Sequence, residues 1–388
     1  MKIQNYREDF PLLKEEIIYF DNACMTLKPM QVINKINEYY LKYPSCGNRS
    51  LHKLGKRVTE EVEKSRTTAK KFFNARKDEE IIFTRNTTEG INLISYCLKF
   101  NGNVIISDKE HNSNLVPWQK FNVIPISTKN GFNLDEFSET ARKNKNSLIS
   151  INHVSNLDGS ENPIREIIKI AHENNCLVLI DAAQSAGHKK TDVRKLDIDF
   201  LVCSGHKMLG PTGTGILYGK KEHLEKLDNF MVGGETVLDS TYNDAKFEGL
   251  PYRFESGLQD YAGIIGLGEA ITYLEKVGLD NINQHEIKLN ALLTAEISNL
   301  NNISILGSKN PELRNGLFSF NIKNIEPHTI SLLLDKNDIM TRSGMHCCHA
   351  WFNKNKINGS CRISLYFYNT EDEVKSAADE IKKIARLS

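Results

Sequence analysis

The chain has 388 residues, 40% of them hydrophobic, and its formal net charge at pH 7 is +1. A chain of this length can bury a large core, and we expect two domains. The balanced charge gives no reason to expect nucleic acid as a partner, and without an apolar leader or a membrane-length apolar run we expect a cytosolic protein that does not bind membranes.

Short apolar runs alternate with amphipathic stretches from about residue 55 to 220. Leu54, Val58, Val62, Ala69 and Phe73 have the spacing of one helix face. The predicted strands that follow are Ile81–Thr84, Val104–Ser107, Val123–Ile126, 148–153, 177–180 and 200–203, and the predicted helices between them include 88–98 and Ile164–Glu173. This alternation predicts a mainly parallel α/β sheet covered by helices, with ligands at the carboxyl ends of the strands.

The pattern changes after about residue 275. The predicted elements there are a long helix near 264–277, shorter strands at Leu317–Ile322 and 363–367, and a last helix that opens with a capping box at Thr370 and Glu373. This change predicts a large domain over residues 15–275 and a smaller α+β domain over residues 276–388, with residues 1–14 packed on the smaller one.

The eight cysteines contain no C-x-x-C pair, so neither a zinc ribbon nor a thioredoxin-like motif is supported. A disulfide framework is not expected in a large cytosolic chain. Cys97, Cys176 and Cys203 lie within apolar runs, and we interpret them as small buried hydrophobic residues.

One lysine is distinguished by its neighbours. Lys207 follows the predicted strand 200–203 and precedes a glycine-rich turn at 208–215. Burial at a strand end lowers the pKa of a lysine and frees its amine to form a Schiff base with a carbonyl ligand. We therefore predict a cofactor lysine, against the alternative of a surface lysine in a loop.

Other polar residues are predicted to meet this lysine at the same sheet edge. Asp181 follows the preceding strand, and a carboxylate there can keep a pyridine nitrogen protonated, although an ordinary ionic or capping role is the alternative. Thr87 and Thr88 precede a helix, where hydroxyls and free N–H groups can hold a phosphate, N-capping being the alternative. Ser204 and His206 can add further donors.

These residues resemble the class V (fold type I) pyridoxal-phosphate enzymes, and among them the Suf-type cysteine desulfurase and selenocysteine lyase group. The segments that carry the resemblance are 19–23, 49–54, 87–92, 110–118, 153–156, 181–184, 204–215, 253–257 and 342–347. The resemblance implies a fold type I transferase with a large, mainly parallel sheet domain and a smaller C-terminal α+β domain. It also implies pyridoxal 5′-phosphate (PLP) as the cofactor, and a homodimer.

The resemblance further implies a role for each matching residue. Around the cofactor ring these are Lys207 as the Schiff-base lysine, Asp181 at the pyridine nitrogen, His111 stacked on the ring as a proton carrier, and Gln184 at the phenolic oxygen. At the phosphate they are Thr87, Thr88, Ser204 and His206. At the substrate they are Arg342, Arg362 and Asn156, which would lie beside both the cofactor and the substrate. The guanidinium of Arg362 would hold the substrate carboxylate, because a planar fork suits that geometry.

The reaction is indicated by the segment 341–349, since the fold alone does not name the chemistry. In Suf-type desulfurases a cysteine follows Arg-x-Gly-x-His, and Cys347 occupies that place. The resemblance implies that its thiolate takes sulfur from bound cysteine, and we expect His346 and a nearby arginine to favour that thiolate. The alternatives are Cys348 as the nucleophile and a structural role for both thiols. A metal site that includes His349 is not expected, because adjacent side chains point apart.

A few positions depart from the family's pattern. Met345 and Cys348 replace more typical residues around the predicted nucleophile. Leu258 stands where a hydroxyl residue usually reaches the phosphate of the partner subunit, so that contact is either lost or made by backbone N–H groups. Cys24, in the entrance segment 22–26, is also unusual, and the sequence assigns it no role.

Together these residues predict a PLP-dependent L-cysteine desulfurase. It would convert L-cysteine to L-alanine and pass the persulfide sulfur to an acceptor protein for iron–sulfur cluster assembly or thiolation. The short segment before Cys347 predicts an ordered loop and slow turnover unless an acceptor or reductant removes the sulfur. The alternatives are another class V activity (selenocysteine lyase, aminotransferase or cysteine lyase) and a non-catalytic scaffold.

Overall fold

Helices and strands alternate along the chain, for which the computed structural model describes residues 3–387. The α-helices are α1 Met30–Lys42, α2 Lys53–Phe73, α3 Thr87–Cys97, α4 Leu134–Lys143, α5 Ile164–Glu173, α6 Lys221–Leu224, α7 Tyr261–Val277, α8 Leu279–Ile297, α9 Pro327–Asp335, α10 His349–Asn355 and α11 Glu371–Ala385. The strands are β1 Ile18–Tyr19, β2 Ile81–Thr84, β3 Val104–Ser107, β4 Val123–Ile126, β5 Leu148–Asn152, β6 Leu177–Asp181, β7 Phe200–Ser204, β8 Gly215–Gly219, β9 Val237–Ser240, β10 Ala245–Phe247, β11 Ile303–Ile305, β12 Leu317–Ile322, β13 Ile339–Met340, β14 Arg342–Gly344 and β15 Ser360–Ser364.

The large sheet has seven strands in the order β2-β8-β7-β6-β5-β3-β4. The prediction of a mainly parallel sheet is confirmed, because only the pairs that include β8 are antiparallel. The antiparallel strand was not predicted. It returns from β7 after only residues 205–214, a connection shorter than a parallel crossover needs.

The predicted strands of this sheet agree with the observed ones to within one residue at each end. Strands β2, β3, β5, β7 and β8 are buried along their whole length, which is why they read as continuous apolar runs. Cys97, Cys176 and Cys203 are buried as predicted. The predicted strand at 363–367 is wrong in its bounds, because β15 ends at Ser364 and the chain then turns toward the capping box of α11.

A second sheet of four antiparallel strands, in the order β11-β12-β15-β14, lies in the C-terminal part of the chain. Apolar residues of α8, α9 and α11 pack with its strands in one buried cluster, for example Leu293, Leu334, Ile381 and Phe318. Within this sheet Arg342 and Arg362 are directly opposite each other on β14 and β15. The small sheet thus brings two arginines to its edge strand and the neighbouring strand.

The N-terminal segment packs against both parts of the chain. The ring of Phe10 lies 4.5 Å from that of Tyr368 and 6.2 Å from that of Tyr273 on α7, and Arg7 forms a 2.6 Å ion pair with Glu373 on α11. The predicted division near residue 275 stays a prediction, and residues 1, 2 and 388 of the predicted domains lie outside the described range. No helix within residues 3–387 combines the length and apolar character that a bilayer crossing needs.

Candidate active site

A cavity of about 250 Å³ lies at the carboxyl ends of the central strands. Strands β5, β6 and β7 end there in Asn152, Asp181 and Ser204, α3 begins there, and β14 and β15 face it from the small sheet. The predicted site residues all line this cavity, namely Thr87, Thr88, His111, Asn156, Asp181, Gln184, Ser204, His206, Lys207, Arg342, Cys347 and Arg362. One cavity therefore brings together residues from most of the chain.

Lys207 lies in a tight turn directly after β7. The Gly205 N–H donates to the Thr214 carbonyl at 2.8 Å, and a Cβ atom added to Gly205 would lie 2.3 Å from the Thr214 hydroxyl, so the turn needs a glycine there. Within residues 3–387 the Lys207 amine has no hydrogen-bond or ion-pair partner. Burial lowers the pKa of Lys207 and Arg362 lowers it further, although Asp181 acts in the opposite direction. The neutral, nucleophilic form of the amine is thereby favoured.

Asp181 and His111 lie in the same cavity, and burial shifts the pKa of each toward its neutral form. Asp181 is only 5% exposed, burial raises its pKa, and its Oδ1 atom accepts the Ala183 N–H at 2.9 Å. Burial lowers the pKa of His111 to about 3, with further lowering by Lys207. Because the Nδ1 atom of His111 accepts the Ser113 N–H at 3.1 Å, the neutral imidazole carries its proton on Nε2.

Hydroxyl groups cluster at the first turn of α3. The Thr87 and Ser204 hydroxyls are 2.7 Å apart, and the Thr88 and Ser113 hydroxyls are also 2.7 Å apart. The cap of α3 is Asn86, whose side chain accepts the Glu89 N–H at 3.0 Å, so the alternative that the threonines merely cap the helix is wrong. Hydroxyls and the positive end of the helix dipole together suit an anion.

Two arginines face the cavity side by side. Arg362 is 2% exposed, donates from Nη1 to the Asn156 carbonyl at 2.7 Å, and has a buried Nε without a partner in the described part of the chain. Arg342 donates from Nη1 to the Cys24 sulfur at 2.6 Å. Like charges directly opposite each other on neighbouring strands are unfavourable, so the pair favours an anion in the cavity.

Cys347 lies in the wall of the cavity and is half-buried. His346 and Cys347 have φ angles of 47° and 58°, which L residues rarely adopt. Two hydrogen bonds hold this backbone, from Asn156 Nδ2 to the His346 carbonyl and from the Asn112 N–H to the Cys347 carbonyl, both at 2.7 Å. The segment is therefore anchored, in agreement with the predicted ordered loop.

The residues on either side of Cys347, His346 and Cys348, are more deeply buried than Cys347 itself. Cys348 is fully buried, its sulfur lies 3.3 Å from Asn156 Oδ1, and burial raises the pKa of its thiol. Burial lowers the pKa of His346 to about 2, and its Nε2 atom is paired with the Ser360 hydroxyl at 2.9 Å. His346 and a nearby arginine were expected to favour the thiolate. For His346 this is wrong, since a buried imidazole with this pKa is neutral at pH 7, and the arginines are left as the positive groups of the cavity. In residues 3–387 no group of three or more His, Cys, Asp or Glu side chains is arranged to hold a metal ion.

The cavity also contains residues that were not predicted, chiefly Cys24, Asn86, Ser113 and Asn152. Asn86 could have been found, because an asparagine before a helix is a common N-cap signal. Ser113 and Asn152 carry no such signal, because their closeness to the cavity depends on how the sheet is assembled.

Comparisons with known proteins agree with this arrangement. Residues 18–376 match the family described as "Aminotransferase class-V". The chain is 37% identical to a probable cysteine desulfurase of Halalkalibacterium halodurans, covering 99% of this chain and 98% of the relative, and 36% identical, with the same coverage, to a cysteine desulfurase of Wigglesworthia glossinidia brevipalpis. The apo structure of a cysteine desulfurase from Thermococcus onnurineus NA1 superposes with a TM-score of 0.94 at 34% identity, covering 99% of this chain and 98% of that chain. The chain therefore belongs to the class-V aminotransferase family and, within it, to the cysteine desulfurase type.

Proposed function

We propose that the protein is a PLP-dependent L-cysteine desulfurase that forms L-alanine and leaves the sulfur on Cys347 as a persulfide. The observation that carries the proposal is the convergence of the Lys207 amine, the arginine pair and the Cys347 thiol on one cavity. The names of the similar proteins support the same reaction.

The residues present fit PLP. The unpaired Lys207 amine suits the aldehyde of PLP, and the Asp181 carboxylate suits the ring nitrogen. His111 and Gln184 line the same cavity and suit the ring itself. The hydroxyls of Thr87, Thr88 and Ser204 at the start of α3, with His206 nearby, suit its phosphate. When bound, PLP supplies an electron sink for negative charge that develops at the substrate Cα atom.

The arginine pair would bind and orient the substrate. A carboxylate between Arg342 and Arg362 satisfies the unpaired Nε of Arg362 and relieves the repulsion between the two guanidinium groups. Asn156 also lines the cavity, and its backbone carbonyl accepts a hydrogen bond from Arg362 Nη1. Binding at this point fixes which end of an amino acid faces Lys207.

Two residues would hold and move protons. The lowered pKa of Lys207 makes its amine available as the base that removes the proton from the substrate Cα atom. His111 remains neutral at pH 7 and carries its proton on Nε2, so it can donate that proton to an atom of the substrate that gains negative charge. Lys207 would thus take a proton from the substrate, and His111 would give one.

Cys347 would accept the sulfur. Its thiolate attacks the substrate sulfur, the new S–S bond forms as the bond between Cβ and sulfur breaks, and the electron pair left on carbon takes up a proton to give alanine. Half-buried Cys347 lines the cavity, whereas Cys348 is fully buried with a raised pKa. We therefore propose Cys347, and not Cys348, as the persulfide residue.

The remaining expectations belong to the same proposal. The half-exposed Cys347, followed by the exposed His349 and Ala350, leaves room for an acceptor protein that takes sulfur for iron–sulfur cluster assembly or thiolation. That the enzyme is a homodimer belongs to the same proposal and rests on the family resemblance. A cytosolic location stays a prediction from composition.

The test uses the PLP-loaded enzyme with L-cysteine. Alanine and protein-bound persulfide are measured together, and the persulfide is mapped by mass spectrometry. Cys347→Ser should abolish both products, whereas the matched variant Cys348→Ser should retain them. Alanine formed without persulfide on Cys347 contradicts the proposal. Transamination that survives in Cys347→Ser indicates an aminotransferase, and activity of that variant confined to selenocysteine indicates a lyase.

A further inference from the structure

A second thiol lines the same cavity and has no role in the reaction above. Cys24 is half-buried, and its sulfur accepts a hydrogen bond from Arg342 Nη1 at 2.6 Å. Cys347 follows Arg342 by five residues and also lines the cavity. Two cysteines and one arginine therefore line a single cavity of about 250 Å³.

The backbone around Cys24 is fixed on several sides. The Ala23 N–H donates to the Ser364 hydroxyl at 2.9 Å, and the Ala23 carbonyl accepts from Gln184 Nε2 at 2.7 Å. The Cys24 N–H donates to the Asp21 carbonyl at 3.1 Å. These contacts, like those of the His346 and Cys347 carbonyls, fix the backbone that carries each thiol at the wall of the cavity.

Buried atoms without partners mark the cavity as a site for an additional polar group. The Nε atom of Arg362 and the Nδ1 atom of His346 have no hydrogen-bond partner in the described part of the chain, and the two residues are 2% and 5% exposed. Both residues line the cavity, together with Arg342. A sulfur group that carries negative charge suits the two guanidinium groups, because leaving the buried Nε donor of Arg362 without a partner is costly.

We propose that Cys24 is a second sulfur carrier of this site, an inference that rests on the proposed role of Cys347. The Cys24 thiolate attacks the outer sulfur of a persulfide on Cys347. The bond between that sulfur and Cys347 breaks as the new S–S bond to Cys24 forms, and Cys347 leaves as a thiolate. The persulfide proton travels with the transferred sulfur, so the step needs no external oxidant or reductant.

Arg342 has a defined part in this transfer. Its guanidinium already contacts the attacking sulfur, and it stabilises the negative charge both before the attack and on a persulfide of Cys24 afterwards. The transfer restores Cys347 while the first sulfur stays in the cavity. Each chain could therefore hold two sulfur atoms before an acceptor removes either.

The experiment maps persulfides on the PLP-loaded enzyme. The enzyme is incubated with excess L-cysteine without reductant, alkylated, digested and examined by mass spectrometry. We expect the peptides of both Cys24 and Cys347 to carry the mass of an extra sulfur. Cys347→Ser should lose the extra sulfur at both positions, and Cys24→Ser should halve the sulfur bound per chain. The matched control is Cys46→Ser, which removes a half-buried thiol outside the cavity and should leave the Cys24 signal unchanged.

Several results would overturn the inference. Persulfide on Cys347 without any on Cys24 in the wild-type enzyme excludes the transfer and leaves the proposed function intact. Persulfide on Cys24 in Cys347→Ser shows direct uptake in place of a relay. A disulfide between the two cysteines with release of sulfide shows attack on the inner sulfur instead. Absence of persulfide from Cys347 itself refutes the proposed function and this inference together. If Cys347→Ser does not fold, a time course of the wild-type map decides the question, because a relay requires the extra sulfur to appear on Cys347 before it appears on Cys24.

Discussion

Replacement of Arg362 by lysine keeps a positive charge in the cavity and removes the planar fork of the guanidinium. Arg362 uses Nη1 to reach the Asn156 carbonyl at 2.7 Å and Nη2 to reach Asp21 Oδ1 at 3.5 Å, and Nε remains for a ligand. An ammonium on a flexible chain cannot keep these contacts and also bind a carboxylate. At least one hydrogen bond to a charged group is lost, which costs about 1.5–3 kcal/mol. Binding of an amino acid should therefore weaken roughly 10- to 150-fold.

The assay measures the Kd of L-alanine for the PLP-loaded enzyme from the visible absorbance of the bound cofactor. Cysteamine, which has the amine and thiol of L-cysteine but no carboxylate, serves as the control ligand and should bind wild type and Arg362→Lys equally. An unchanged Kd for L-alanine would refute the reasoning. An equal loss for cysteamine would show that the substitution distorts the cavity and that Arg362 does not bind the carboxylate.

Three further predictions concern other parts of the molecule. Glu255→Gln removes the buried charged partner of the 1% exposed Arg66, at 2.7 Å, and leaves the arginine the carboxylate of Glu63, at 3.2 Å. It should destabilise the fold by up to about 3–5 kcal/mol and lower the Tm, whereas Glu63→Gln, at a 34% exposed partner of the same arginine, should cost far less. Burial raises the pKa of Asp199, but hydrogen bonds from His172, His223 and Lys220 outweigh this effect and hold the pKa below 3.8. The ionised carboxylate therefore stabilises the fold fully above pH 3.8, and this contribution is lost as the pH falls below that value. Asp199→Asn should be less stable than wild type at neutral pH. Its urea unfolding midpoint should also fall less than that of wild type as the solution is acidified. The family resemblance implies a hydroxyl at position 258 that reaches the phosphate of the partner subunit. Leu258→Thr should therefore slow the loss of PLP on dialysis, and an unchanged loss rate would show that this position does not reach the phosphate.

Much of the large sheet could be predicted because its strands are buried on both faces. Val104–Ser107 and Phe200–Ser204 are continuous apolar runs, and such runs between amphipathic helices indicate parallel strands. The direction of Gly215–Gly219 could not be predicted in this way, because an apolar run looks the same in either orientation. Only the short connection from β7, seen in the folded chain, accounts for its antiparallel pairing.

For the site, the sequence by itself determined which groups are available: a lysine at a strand end, a carboxylate at the end of the preceding strand, and a cysteine after Arg342. Local spacing carries this information, because strand ends and helix starts are set within a few residues. The tertiary structure alone decided that Cys348 is buried while Cys347 lines the cavity, that His346 is neutral, and that Arg342 contacts Cys24. The burial of a side chain, its pKa and its contacts depend on how the two sheets pack. Arg342 and Cys24 are more than 300 positions apart, and no local sequence pattern indicates that two such residues are in contact.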